Sequence, residues 1–280
     1  MTVTNMEQSA YTLEALRNKK GFICDMDGVI YHGNLLLPGV REFVDFLKRE
    51  NKKFLFLTNS SERAPKELQQ KLERLGLEEP KDWDDLLKPE YKGLIWMSNP
   101  NTAGTAKLVI NTMVQMKGHD EAMKYFVELD KNIAQYTKSG SGPSKKVGIG
   151  ECVIGIGFLH DGITQILGYD NISLVIPASG TSFEIGATAI FKGAKHPNAA
   201  KLWIEFALSP DCVNIAKENE SFQFLVIDNA EQPEEATAFG LDPENVIDYD
   251  FEDAKNNTSK YVEDYFNALG AAADGRFQTE

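Results

Sequence analysis

The first eighty residues alternate between short apolar runs and amphipathic segments. Apolar runs at residues 21–24 and 53–57 each end in polar residues, a pattern typical of buried strands that open into loops. Between them, apolar side chains recur at helical spacing from residue 40 to residue 47 and predict one buried helix face. A further helix is predicted after Pro65, so the order of elements is β-α-β-α, the pattern of a parallel sheet.

Strands and helices continue to alternate beyond a polar stretch at residues 78–92. Helices are predicted over residues 102–116, 121–129, 199–208, 212–218 and 261–269, and strands over residues 94–97, 153–158, 172–176 and 184–191. The fold class is therefore α/β, with Rossmann-like parallel sheets. Because strands that are apolar throughout need both faces covered, we expect the two N-terminal strands to join the strand near residues 187–191 in one continuous sheet.

Composition and charge exclude several classes of protein. The chain has 280 residues and a formal net charge of −13, which argues against nucleic-acid binding because that requires a basic face. No run of 18 apolar residues occurs, so no membrane span is predicted. The polar N-terminal residues lack the apolar core of a secretory signal, so the chain as written is expected to be cytoplasmic. The three cysteines, Cys24, Cys152 and Cys212, are too sparse for a disulfide framework.

Two carboxylates follow the first predicted strand. Asp25 and Asp27 are two residues apart and point the same way at the carboxyl edge of the sheet, where the sites of α/β proteins lie. Such a pair can hold Mg²⁺, while one carboxylate attacks phosphorus and the other serves as general acid and base. Thr58 ends the neighbouring strand, where its hydroxyl can bind phosphate oxygens. The alternative interpretation is a plain turn after a strand.

The segments around these residues resemble the haloacid-dehalogenase superfamily, in its sugar- and nucleotide-phosphatase branch. The similarity extends over residues 22–31, 36–39 and 54–60. It implies that Asp25 is the nucleophile, Asp27 the general acid/base and Thr58 a phosphate ligand, with both carboxylates binding Mg²⁺. The family's later lysine and second acidic motif are not recognisable, and the acidic stretch at residues 248–253 is interpreted as a solvated charge run. We therefore expect weak Mg²⁺ binding and very low phosphatase activity.

The second part of the chain carries polar groups that suit a small anion. Gly104 and Thr105 begin a predicted helix, whose free N–H groups can bind an anion. A glycine-rich loop carries Ser139 and Ser141, and His160–Asp161 are predicted to end a strand that faces a cleft. The alternatives are a mobile loop for the serines and a half-buried structural residue for His160.

From about residue 82 the chain resembles type II periplasmic solute-binding proteins of ABC transporters, closest to the branch that binds ferric iron or phosphorylated sugars. The matching segments are residues 84–93, 99–106, 129–136, 154–161 and 183–186. The resemblance implies a two-lobed fold in which residues 81–184 form the second lobe and residues 185–280 return to the first. Residues 1–80 then take the place of the absent part of the first lobe.

The same resemblance implies a ligand site and a partner. Asn99 and Glu184, the latter at the crossing between the lobes, join the serine, threonine and histidine groups named above. An ABC transporter is the implied partner. Iron binding in this branch would use paired tyrosines, and no Tyr-Tyr pair occurs, which favours a small phosphorylated or anionic solute such as a sugar phosphate.

Three functional interpretations remain open for this hybrid sequence. The first is a binder of a small phosphorylated solute, and the second is a Mg²⁺-dependent phosphatase with Asp25 as nucleophile. The third is a fold chimera without function. Engineering or recombination would be the origin of such a chain. Fold-level similarity alone does not decide among them.

Overall fold

The computed structural model describes residues 13–26, 28–32, 35–57, 77–169, 172–270 and 275–277. The chain is divided into two compact units, Met1–Leu77 (unit 1) and Glu78–Glu280 (unit 2). This division lies within a few residues of the point at which the sequence pattern changes. The helix predicted after Pro65 lies outside the described residues.

Unit 1 is built around one parallel strand pair and one helix. Its elements are α1 (Leu13–Arg17), β1 (Gly21–Asp25), β2 (Tyr31–His32), β3 (Leu35–Leu36), α2 (Val40–Arg49) and β4 (Lys53–Leu57). Strands β1 and β4 run parallel, with Phe22 opposite Phe54. A small core of Met26, Ile30 and Tyr31 packs with the apolar face of α2, so the predicted β-α-β start is confirmed for the described residues.

The prediction of a continuous sheet is wrong for the described part of the chain. Strands β1 and β4 pair only with each other there, and residues 184–191 form no strand. The outward faces of the pair are correspondingly uncovered, with Ile23 72% and Leu55 55% exposed. In unit 1 an apolar run is therefore enough to predict a strand. Whether other elements cover the faces of that strand does not follow from the pattern.

Unit 2 contains a three-stranded parallel sheet covered by helices. Its elements are β5 (Ile95–Ser98), α3 (Gly104–Lys117), α4 (His119–Asp130), β6 (Ile133–Thr137), α5 (Gly142–Gly148), β7 (Ile154–Gly155), α6 (Leu159–Gly168), α7 (Pro197–Ala207), α8 (Pro210–Val213), α9 (Ile215–Glu218), α10 (Glu234–Ala238) and α11 (Phe251–Leu269). The strand order is β6-β5-β7. The α/β class is therefore confirmed.

The main core of unit 2 lies where α3, α4 and α11 meet the sheet. Phe126 on α4 is 1% exposed and makes an edge-to-face contact with Tyr265 on α11, with ring centres 5.1 Å apart. The hydroxyl of Tyr265 donates to that of Tyr136 on β6 at 3.1 Å. Because this core fixes α3 against β5, it also fixes the loops at the carboxyl edge of the sheet.

Helix α11 begins ten residues earlier than the sequence pattern predicts. Asp250 is its N-cap, and its Oδ1 accepts hydrogen bonds from the backbone N–H groups of Glu252 and Asp253, both at 2.9 Å. Asp253 in turn accepts a hydrogen bond from the hydroxyl of Tyr261 at 3.0 Å. Two of the acidic residues interpreted as a solvated charge run therefore start and brace a helix.

The segment between α6 and α11 departs most from the predictions. The strands predicted at residues 172–176 and 184–191 are irregular, since neither is part of a strand ladder in the described residues. Helix α7 forms as predicted but carries no buried residue, and Leu202 and Trp203 are 67% and 63% exposed. The helix therefore forms with its apolar face, but no described residues cover that face and bury it in a core.

Candidate functional site

Three loops meet at the carboxyl edge of the unit 2 sheet. Strand β5 leads to α3 at Gly104, β6 leads to a short loop before Gly142, and β7 leads to α6 at Leu159. Because the three strands are parallel, these connections lie at the same edge, where α/β proteins bind ligands. The first turns of α3 and α6 provide backbone N–H groups that have no acceptor within their helices.

The start of α3 packs directly against the glycine-rich loop. A Cβ atom placed on Gly140 would lie 2.2 Å from Oγ1 of Thr105, and one placed on Gly157 would lie 2.8 Å from Oγ of Ser144. Only glycine allows the backbone of this loop to approach so closely. We call the place where Thr105 meets the loop of Ser139, Gly140 and Ser141 the sheet-edge notch.

The loop of the notch is folded by its own hydrogen bonds. Oγ1 of Thr137 donates to the carbonyl of Ser139 at 2.8 Å, and the N–H of Gly142 donates to the same carbonyl at 3.1 Å. The hydroxyls of Ser139 and Ser141 lie 3.2 Å apart at its exposed side. These bonds favour an ordered loop over the mobile loop that was the alternative, whereas anion binding by Ser139 and Ser141 stays a prediction.

Asn99 stabilises the turn that precedes α3. Its side chain is 2% exposed, and its Nδ2 donates to the carbonyl of Phe277 at 2.9 Å. Its Oδ1 accepts from the backbone N–H of Asn101 at 2.9 Å. Both ends of the amide are thus used within the chain, so Asn99 orders the turn before α3, and its predicted contact with a ligand stays a prediction.

His160 and Asp161 lie in the first turn of α6, which corrects the prediction that they end a strand. The imidazole stacks on Phe158 with ring centres 5.1 Å apart, and its Nε2 accepts from the amide of Gln223 at 3.1 Å. Sequence analysis missed Gln223, because no local motif marks it. Nε2 of His160 lies 3.8 Å from Oδ1 of Asp161, and the charge of Glu184 also acts on the imidazole.

Burial lowers the pKa of His160 below its usual range, against the raising effects of Asp161 and Glu184. The unfolded chain therefore binds a proton more tightly than the folded one. Stability from this residue is present above the unfolded pKa of about 6.5 and is lost as the pH falls through the lower folded pKa. We expect the contribution of His160 to lower the unfolding midpoint between pH 7 and pH 5, by about 2–4 °C for each 1 kcal/mol lost.

The variant His160→Gln isolates this contribution. His119 titrates in the opposite sense, because hydrogen bonds to Asp120 and Asp264 raise its pKa, and it remains in both proteins. The difference between wild type and variant should therefore shrink as the pH falls, when measured as unfolding midpoints across the pH series. A constant difference over the whole range would mean that His160 does not carry this proton linkage.

The carboxylate site predicted in unit 1 is only partly described. Asp25 ends β1 with an exposed side chain, and its Oδ1 accepts from the N–H of Met26 at 2.8 Å. Asp27 and Thr58 lie outside the described residues, so their predicted roles stay predictions. Within the described ranges, no group of three or more His, Cys, Asp and Glu side chains is placed to hold a metal ion. The described residues therefore do not assemble a Mg²⁺ ligand set.

The comparisons with known proteins match both parts of the chain. The family model described as "Haloacid dehalogenase-like hydrolase" matches residues 22–128, which begins in unit 1 and runs into unit 2. Phosphoglycolate phosphatase 1A of Arabidopsis thaliana is 37% identical over 84 residues, which are 28% of this chain and 23% of that protein. These similarities agree with the sequence of β1, β4 and the segments next to them.

Two other relatives are similar over longer stretches. An uncharacterized protein of Haemophilus influenzae is 41% identical over 185 residues, 65% of this chain and 53% of that protein. Unit 1 has only 77 residues, so more than half of this match lies in unit 2. The phosphoglycerate transport regulatory protein PgtC of Salmonella typhimurium is 27% identical over 137 residues, 47% of this chain and 32% of that protein. The chain thus spans about half the length of the first relative and less of the others.

The fold as a whole is similar to that of periplasmic binding proteins. The periplasmic binding protein AfuA of Actinobacillus pleuropneumoniae, solved with exogenous fructose-6-phosphate bound, superimposes with a TM-score of 0.66 and 25% identity. The alignment covers 91% of this chain and 100% of AfuA. The chain therefore combines a haloacid-dehalogenase-like N-terminal segment with the fold of a type II periplasmic binding protein, as the sequence predicts.

No helix among the described residues is both long enough and apolar enough to cross a membrane.

Proposed function

We propose that the chain binds a small phosphorylated solute, such as a sugar phosphate, at the carboxyl edge of the unit 2 sheet. The observation that carries this proposal is the sheet-edge notch, where Thr105 and the start of α3 meet the Ser139–Ser141 loop across Gly140. A helix N-terminus supplies N–H donors and the positive end of its dipole, which together favour a phosphate group.

The other groups of the site suit hydroxyls better than phosphate. Carboxylates at Asp161 and Glu184 would repel the anion, so they belong at the sugar end, where they accept hydrogen bonds from hydroxyls. His160 has a lowered pKa because of burial and is therefore neutral near pH 7, which lets it take part in the same pattern without adding charge.

Two named relatives support the class of ligand. AfuA was solved with fructose-6-phosphate, and PgtC is named for phosphoglycerate transport, so both names refer to phosphorylated small molecules. By the same similarity, an ABC transporter is the proposed partner of the unit 2 fold. The HAD-like segment marks the chain as a hybrid, whose origin we propose to be the joining of two gene fragments.

Calorimetry with hexose 6-phosphates tests the proposed function. We expect the wild type to bind, and we expect binding to weaken about 10-fold in Thr105→Ala and in His160→Ala. Each substitution removes one side chain that would form a hydrogen bond with the ligand. Thr237→Ala and His196→Ala, at exposed positions in the same unit, are the matched controls and should bind as the wild type does. No heat from the wild type would reject the proposal, and equal heats for all variants would reject this site.

A phosphatase is the second candidate, because the family model and the Arabidopsis relative both point to one. We expect hydrolysis of an aryl phosphate with Mg²⁺ to stay at background, and Asp25→Asn to leave it unchanged. Asp45→Asn, exposed on α2, is the matched control. Turnover that Asp25→Asn abolishes and Asp45→Asn retains would instead establish the enzyme and assign Asp25 as its nucleophile.

A further inference from the structure

A cavity of about 400 Å³ lies beside α3 in unit 2. One wall is a single face of α3, on which residues recur at helical spacing. The opposite wall comes from the segment around Glu184 and from the start of α11. The lining side chains on which the argument depends are Lys107, Asn111, Glu184, Tyr249 and Phe251. We call it the α3 cavity.

Asn111 lines this cavity and carries a buried acceptor that lacks a partner among the described residues. Its side chain is 4% exposed, and its Nδ2 donates to the hydroxyls of Tyr249 at 3.2 Å and Thr258 at 2.9 Å. Both hydrogens of the amide are therefore used, which fixes the orientation of the group. Its Oδ1 has no hydrogen-bond partner in the described part of the chain. A buried amide oxygen in this position calls for a donor such as a ligand hydroxyl or a water molecule.

Tyr249 and Glu184 extend the polar wall. The hydroxyl of Tyr249 accepts from Asn111, so its own proton remains available to donate. Burial raises the pKa of Tyr249, which keeps that proton in place at neutral pH. Glu184 also lines the cavity, and its charge acts on both Tyr249 and His160.

The lining of the cavity also includes a cationic group. Lys107 is half-buried in the first turn of α3, and no ion pair is formed by it with the described residues. Gly104, at the N-terminus of the same helix, also lines the cavity. An ammonium group beside free helix N–H groups favours an anion, and Thr105 reaches the same turn from the side of the notch.

Aromatic rings form another part of the cavity lining. The rings of Phe183 and Tyr249 both contact Phe251 edge to face, with ring centres 5.3 Å and 4.9 Å apart. Such a surface packs against the C–H groups of a sugar, whereas the acceptors above it take its hydroxyls. The lining of the cavity thus includes a cationic group, aromatic rings and hydrogen-bonding groups that suit hydroxyls.

We propose that the α3 cavity is a hydroxyl-recognition subsite for a phosphorylated polyol, with Asn111 and Tyr249 as specificity-determining residues and Lys107 beside the phosphate. This assignment rests on the proposed function. It adds residues that neither the sequence motifs nor the notch indicated, and it explains why a buried amide is held with its oxygen unpaired. A ligand hydroxyl donates to Asn111, and a ligand oxygen accepts from Tyr249.

The test compares glucose 6-phosphate with methyl phosphate, which has the same anion and no hydroxyl. We expect Asn111→Leu to weaken glucose 6-phosphate binding about 10- to 100-fold and to leave methyl phosphate binding unchanged within about two-fold, measured by calorimetry. Tyr249→Phe retains the ring and should weaken only glucose 6-phosphate, by about 5- to 10-fold. Lys107→Met should weaken both ligands about equally.

The outcomes separate the subsite from the proposed function. If the wild type binds neither phosphate ester, the proposed function fails and the subsite fails with it. If the wild type binds both esters and both Asn111→Leu and Tyr249→Phe match it, the subsite alone is wrong and the acceptor is met by buried water. Because Asn111 also joins α3 to α11, circular dichroism checks the fold of its variant, and Tyr249→Phe decides the outcome if Asn111→Leu unfolds.

Discussion

Replacing Gly140 with alanine should weaken binding of a hexose phosphate about 100-fold. The added Cβ atom would lie 2.2 Å from Oγ1 and 3.1 Å from Cβ of Thr105, far inside any contact that the two groups can tolerate. Thr105 is 7% exposed and fixed in the first turn of α3, so the loop must move away. That movement separates the loop from the helix start and removes one or two hydrogen bonds to a charged group, each contributing about 1.5–3 kcal/mol.

The same substitution should cost about 1–3 kcal/mol of stability, the usual range for overpacking. Gly168→Ala is the matched control, because Gly168 ends α6 and a Cβ atom there meets no atom within 4 Å. That variant should bind as the wild type does and unfold at the same or a slightly higher temperature.

A double variant separates packing from binding. Thr105→Ala removes the atom that Gly140→Ala strikes first, so the pair of substitutions should regain part of the lost stability. Binding should remain weak, because the threonine hydroxyl is then absent. Full binding by Gly140→Ala in calorimetry would contradict the notch as the phosphate site and would leave the α3 cavity to be tested alone.

Local patterns predicted the helices of unit 2 well, because helix formation depends on spacing within one segment. The helices predicted at residues 102–116, 121–129 and 199–208 appear with ends shifted by three residues or fewer. The start of α11 was missed because it depends on the Asp250 cap, which was interpreted as part of an acidic tail. The predicted strands at residues 172–176 and 184–191 failed because a strand exists only with a neighbour to bond.

The candidate site was predictable to the same degree. Motif and topology placed Thr105, Ser139 and His160 at one sheet edge, since parallel strands end together. They could not reveal that Gly140 packs against Thr105, because that contact joins residues 35 positions apart. Asn111 and Gln223 were missed for the same reason, because the hydrogen bonds of each side chain are to residues in a distant segment of the sequence.

Asn132 shows how one side chain holds the loop that precedes the sheet. It is 4% exposed in the turn between α4 and β6. Its Nδ2 donates to the carbonyls of Leu86 at 2.8 Å and Lys88 at 3.0 Å, both in the segment that resembles the solute-binding family. Its own carbonyl accepts from the N–H of Gly93 at 2.9 Å, so the entry into β5 is tied to the same residue.

Asn132→Ala should therefore destabilise unit 2 by about 2–4 kcal/mol, because two carbonyls in a largely buried setting lose their donor. For a unit of this size, the unfolding midpoint should fall by about 4–16 °C, measured by thermal denaturation followed by circular dichroism. Asn267→Ala, at an exposed position on α11, is the matched control and should change the midpoint little, since alanine is the better helix former. A fall of under about 1 °C for Asn132→Ala would show that the segment holding Leu86 and Lys88 is kept in place by its apolar contacts alone, and that the amide of Asn132 is dispensable.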